Sequence, residues 1–199
     1  MSFVYFGTLA LQIAINTFGT NTIVAHTAAR KLTEFFMLPF GVMSITMATY
    51  CGQNKGAKRP DRIKIGIWQA IYITWLWTVL IIILSYTVAP KLVYMVTGTS
   101  FEEIVKTAEK YLRINTLFYF VPAVIAILRN AMQGIGDLIT PIFSSLIELV
   151  GKVMIAFFLA PKIHYMGIII AEPIVWVLMV IPLIIMIIRN PIFKKELKR

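Results

Sequence analysis

The chain has 199 residues, of which 59% are hydrophobic and 14% charged, with a mean hydropathy of +0.81. Soluble domains carry about 25% charged residues, so composition argues against an ordinary soluble fold. The formal net charge of +10 does not require nucleic acid as a partner, because the basic residues fall in clusters between long apolar runs.

No Asp, Glu, Lys or Arg interrupts residues 1–29, 65–90, 114–128 or 173–188. About 20 apolar residues in a helix cross the hydrocarbon core of a bilayer. Six spans are predicted in chain order, near residues 3–18, 22–52, 65–89, 103–133, 138–160 and 165–188. The fold class is therefore all-α, a single six-helix integral membrane bundle over residues 1–199.

The first span stops at Gly19-Thr20-Asn21. The second is longer than a bilayer requires and holds Pro39 and Gly41, where a kink and hinge are expected. The basic segment 53–64 reads as a loop, and the third span carries Trp68 near its start. Pro90 to Ser100 reads as a connection, and Ser100 with Glu103 as a capping box opening the fourth span. Asp137 or Thr140 is placed to cap the fifth, and Pro161 to Tyr165 reads as a turn before the sixth. The chain starts inside an apolar run with no basic leader, as a fragment or the second half of a longer protein would.

Charge sets the expected orientation. Eleven of the 19 basic residues lie at three places: Lys55, Lys58, Arg59, Arg62 and Lys64; Arg129; and Arg189, Lys194, Lys195, Lys198 and Arg199. With six spans these are alternate connections, so both termini are expected to be cytoplasmic and the protein to sit in the cell membrane.

Catalytic signatures such as GxSxG, a P-loop or HExxH do not occur, and neither histidine has metal-ligand spacing. No catalytic residue, metal or cofactor is expected. The chemistry resides instead in polar groups inside the spans, where burial in lipid is costly. Gln12 and Asn16 lie one turn apart. Arg30 and Glu34 share a helix face, as do Glu148 and Lys152, and each pair has ion-pair spacing. Arg30, Glu148 and Lys152 read as ion-pair or structural residues. Glu172 has no partner at helical spacing, so a cavity or a neighbouring helix is expected to receive it. Asn115 and Tyr119 complete the cavity candidates, Tyr119 as one of three successive aromatics suited to flat cations.

The ordered landmarks resemble the second lobe of a multidrug and toxic compound extrusion (MATE) transporter of bacterial type. They include Gln12-x-x-x-Asn16, Ala25-His-Thr-Ala-Ala29, Met37-Leu-Pro-Phe-Gly41 and Gly52-Gln-Asn-Lys-Gly-Ala57. Further on stand Tyr111-Leu-Arg-Ile114, Leu128-Arg-Asn-Ala-Met-Gln-Gly-Ile-Gly-Asp137, Glu148-Leu149 and Ala171-Glu-Pro173-x-x-Trp176. The resemblance implies a transporter of two six-helix lobes that exports organic cations in exchange for H⁺ or Na⁺. This chain would supply the last six helices, with the lipid bilayer, small organic cations, and a first lobe or a second copy as partners. Some members carry acids where this chain has Gln12, Asn16 and Asn115 with Pro122, and another branch has a Glu where this chain has Arg30. A lipid-linked sugar flippase of related fold and a non-transporting truncated remnant are the alternative readings.

Overall fold

In the computed structural model the described residues are 2–190 and Ile192, with the backbone alone described at 2–7 and Ala10. Among the described residues there is no strand. The helices are α1 (Ser2–Ile15), α2 (Thr20–Gly56), α3 (Pro60–Thr87), α4 (Ala89–Thr97) and α5 (Glu102–Leu117). They continue with α6 (Phe120–Gly134), α7 (Ile139–Met154), a π-helical turn (Ile155–Leu159), α8 (Ala160–Ile163) and α9 (Tyr165–Arg189). Helices satisfy their own backbone groups, which lipid cannot do for them.

Four helical stretches are long and apolar enough to cross a membrane: Thr20–Gly56, Pro60–Thr87, Ile139–Ile163 and Tyr165–Arg189. Taken together, α5 and α6 are also long and apolar enough, with a bend of 56° at the break between them. α1, at 14 residues, is shorter than a full crossing. The expected fourth span is therefore two helices. The ring of Pro122 removes a helical donor in the first turn of α6. The chain closes the break with tighter bonds from Tyr119 N–H to Thr116 O at 3.1 Å and from Val121 N–H to Phe118 O at 2.9 Å.

Other boundaries also shift. The segment 53–64 is mostly helix, and only Ala57, Lys58 and Arg59 lie outside α2 and α3. Lys58 adopts a positive φ of 57°, and Arg59 N–H returns to Asn54 O at 2.9 Å, which reverses the chain in three residues. Pro60 then opens α3, where its missing N–H costs nothing. The connection expected after Pro90 is largely the short helix α4, ended by left-handed Gly98. The capping box at Ser100 does not form: α5 starts at Glu102, and the Glu103 carboxylate accepts from Asn21 Nδ2 at 2.7 Å instead. Asp137 does cap, since its Oδ1 accepts from the N–H groups of Ile139 and Thr140 at 3.1 Å each. The turn at 161–165 shrinks to His164, because a π turn lets the helix continue past Pro161. α2 runs unbroken through Pro39. The basic run at 194–199 lies outside the described residues.

α2 is the central mast, packed against α3, α4, α5 and α6. Its buried stripe of Ala25, Ala29, Leu32, Phe36, Phe40, Met47 and Cys51 follows helical spacing. The α2–α6 crossing is so close that a Cβ on Gly134 would stand 2.2 Å from Ala48 O. α9 packs against α7, α6 and α5, while α1 lies mainly on α7. Because α1 leans on α7 rather than on its chain neighbour α2, a space opens between α1 and α2.

Candidate functional site

That space is a cavity of about 210 Å³ walled by α1, α2, α5 and α9. α1 contributes Thr8, Leu11, Gln12 and Ile15, and α2 contributes His26, Thr27, Arg30 and Glu34. Tyr111 of α5 and Ile168 and Glu172 of α9 close the far side. The helical repeat explains the first two sets: residues 8, 12 and 15, and residues 26, 30 and 34, fall on single faces.

The centre is the ion pair of Arg30 with Glu172, Nη1 to Oε1 at 2.5 Å. Glu172 is buried, and its second oxygen accepts from the Tyr111 hydroxyl at 3.2 Å. Arg30 also faces Glu34 at 3.9 Å, but the Glu34 side chain is 69% exposed and this contact is the weaker one. His26 lies one turn from Arg30, its Nδ1 3.1 Å from the Tyr165 hydroxyl and its ring edge-on to Tyr111 at 5.3 Å. A buried carboxylate needs both a cation and further donors to be tolerated, and Arg30 and Tyr111 supply them.

Of the residues singled out from the sequence, Gln12, Glu34, Glu172 and Arg30 meet at this cavity. Asn16 is exposed and tied to it only through Gln12, whose Nε2 donates to Asn16 Oδ1 at 3.0 Å. Asn115 and Tyr119 lie elsewhere. Asn115 is fully buried and joins α5 to α9, its Nδ2 donating to Tyr111 O and Ile169 O at 3.1 Å each. The Tyr119 hydroxyl donates to Thr33 Oγ1 at 3.0 Å, and its ring packs edge-on against Phe40 and Trp176. The bend of the fourth crossing turns this aromatic inward, while Phe118 stays exposed.

Glu148 and Lys152 form their pair at 2.9 Å inside the bundle, and Arg129 of α6 approaches Glu148 at 3.6 Å. Arg129 also donates to Ser145 Oγ, so this cluster links α6 to α7. Lys31 is exposed and does not line the cavity. His26 and Tyr111 also line the cavity, although neither was among the cavity candidates drawn from the sequence. His26 was detectable as the next residue along the Arg30–Glu34 face, whereas nothing in the sequence places Tyr111 against Glu172. Among the described residues no group of three His, Cys, Asp or Glu is arranged to hold a metal ion.

A bundle of long apolar helices with charged residues gathered at a cavity between four of them defines the class of multi-pass membrane proteins. The sequence profile of the MatE family matches residues 1–158, and the chain belongs to that family. It is similar to a protein of Mannheimia succiniciproducens described as "Probable multidrug resistance protein NorM", with 30% identity over 133 residues. That match covers 63% of this chain and 27% of the relative, so the chain spans about a quarter of that relative's length. The protein is thus a multi-pass membrane protein of the MatE family.

Proposed function

We propose that this chain is one lobe of a secondary active exporter of small organic cations in the cell membrane. Transport is coupled to H⁺ or Na⁺, with no cofactor or catalytic step. The observation that carries this reading is the cavity itself, where Glu34 and Glu172 stand around one guanidinium, Arg30, beside the apolar walls of Leu11, Ile15 and Ile168. Two carboxylates against one cation, next to apolar surface, suit a hydrophobic cation. The flippase alternative requires a basic cavity, and this balance of charge weighs against it. The relative's description as a multidrug resistance protein agrees with the proposed substrate class.

The cavity opens outward along Thr27 and Glu34, both exposed. An unpaired polar group at such a wall costs about 1–3 kcal/mol if lipid meets it. A matching first lobe, or a second copy, removes that cost and encloses the substrate. The test is reconstitution in liposomes, with the mass of the assembly measured in detergent. Antiport of a cationic dye driven by an imposed H⁺ or Na⁺ gradient is expected from a two-lobe assembly and not from a monomer. Antiport by a strictly monomeric preparation refutes the two-lobe requirement. Failure of the two-lobe assembly under both gradients refutes the transport reading.

A further inference from the structure

The two carboxylates of the ionic cavity are not equally free. Glu172 is buried with both oxygens engaged, Oε1 by the Arg30 guanidinium and Oε2 by the Tyr111 hydroxyl at 3.2 Å. Lys152 of α7 adds a second positive charge within electrostatic reach of it. Among the described residues Glu34 meets Arg30 alone, at 3.9 Å and beyond hydrogen-bond reach, and its side chain is 69% exposed. One guanidinium is thus shared between two acids, and the nearer, buried acid holds it. With His26 neutral, Glu34, Glu172 and Arg30 leave the described wall with one negative charge. Lys31, the next basic residue on α2, does not line it.

Volume limits what can enter. The cavity's 210 Å³ is less than the ~300–1,000 Å³ of a site that encloses a drug-sized ligand. It therefore takes the charged head of a ligand, and the body stays at the mouth. Leu38 and Val42, 59% and 67% exposed, continue the Glu34 face one and two turns along α2 and offer that body apolar surface. We propose, on the reading of the chain as a cation exporter, that Glu34 holds the head of a singly charged hydrophobic cation, while Glu172 is the fixed counter-ion of Arg30. One positive charge brings the wall to neutrality. A second would stand uncompensated near Arg30, where a low dielectric magnifies the repulsion.

The experiment titrates the purified chain in detergent, at a pH of about 8 where imidazole is neutral, and reads fluorescence anisotropy. The probes are ethidium, with one charge, and propidium, with the same ring system and two. Ethidium is expected to bind about tenfold more tightly. Glu34→Gln should weaken ethidium binding by about tenfold with the melting midpoint unchanged, a pattern that a purely structural carboxylate would reverse. Glu34→Asp should keep most of the binding. Glu102→Gln, the same change of charge outside the cavity, should leave it alone. In a chain without Cys51, Glu34→Cys should regain ethidium binding after modification with a sulfonatoethyl thiosulfonate and not with the trimethylammonium counterpart. That measurement decides the matter if Glu34→Gln fails to fold. Equal affinity for the two dyes, undiminished ethidium binding by Glu34→Gln, or recovery with the cationic reagent overturns the assignment and leaves the export reading standing. Saturable binding of neither dye by the unaltered chain overturns both.

Discussion

Replacing Gly134 by Ala tests the closest crossing in the bundle. The added Cβ would lie 2.2 Å from Ala48 O, 3.0 Å from Ala48 C and 3.2 Å from its Cα. All three are backbone atoms, so no side chain can swing away and the helices α2 and α6 must part. Overpacking of this kind costs about 1–3 kcal/mol, and a clash of backbone on backbone belongs at the upper end. Against it stands the better helix propensity of Ala, worth about 1 kcal/mol. Gly41→Ala is the matched control, because its Cβ meets nothing within 4 Å. Gly41 lies inside α2 and Gly134 is the last residue of α6, so the control gains at least as much propensity and the difference between the variants is at least the clash, about 2–3 kcal/mol. For a chain of this size that separates the melting midpoints by about 4–12 °C. The assay is thermal unfolding in detergent followed by loss of the monodisperse size-exclusion peak. Gly52→Ala, whose Cβ would lie 3.3 Å from Gly134 O, should fall between them. Coincident midpoints for Gly134→Ala and Gly41→Ala would refute the argument.

Asp137→Ala removes the acceptor for two N–H groups at the start of α7 and should cost about 1 kcal/mol, whereas Asp137→Asn should retain most of it, read from the same melts. Arg30→Ala strands the buried Glu172 carboxylate and should destabilise by about 3–5 kcal/mol, with a substantial part recovered when Glu172→Gln is added, as a double-mutant cycle would measure. In a background without Cys51, an impermeant thiol reagent outside intact cells should label a cysteine at position 98 and not one at 58; labelling of 58 would invert the orientation. Pro39→Ala should preserve expression and lower dye efflux by the assembled transporter, and unchanged turnover across several cationic dyes would make Pro39 a packing residue only.

The spans were legible because lipid imposes a simple rule, a long apolar run without charge, and residues 65–90 and 173–188 obey it. What hydropathy cannot express is a change of axis inside an apolar run. Residues 114–128 contain no charge, yet the chain bends by 56° within them. Pro122 is the signal, and it marks the break because the first turn of α6 begins just before it. The loop at 53–64 was misjudged for the converse reason. Charge and a central Pro suggest a loop in water, but at a membrane surface α2 and α3 extend beyond the hydrocarbon and carry the same charges on helix. Ser100 and Glu103 had the spacing of a capping box, but the Glu was drawn to Asn21, 82 residues earlier, by a contact that no local pattern encodes.

The same division runs through the site. Spacing put Arg30 with Glu34 and Glu148 with Lys152, since residues four apart share a face wherever the helix goes. Only the second pair dominates its surroundings, at 2.9 Å and buried. Arg30 turns instead to Glu172, 142 residues away, because Glu34 is largely exposed while Glu172 is enclosed and gains more from a neighbouring cation. The low dielectric therefore selects the distant partner over the near one. Glu172 was marked from the sequence by the lack of any local partner, and that lack was the informative feature. Tyr119 shows the reverse: three successive aromatics read as lipid-facing or packing with one or two suited to a ligand, and the bend directed the central one, the cavity candidate, to Thr33, Phe40 and Trp176 in the packed interior. In this chain a polar residue without a helical partner indicates where helices meet, and an aromatic indicates its role only once the helix axis is known.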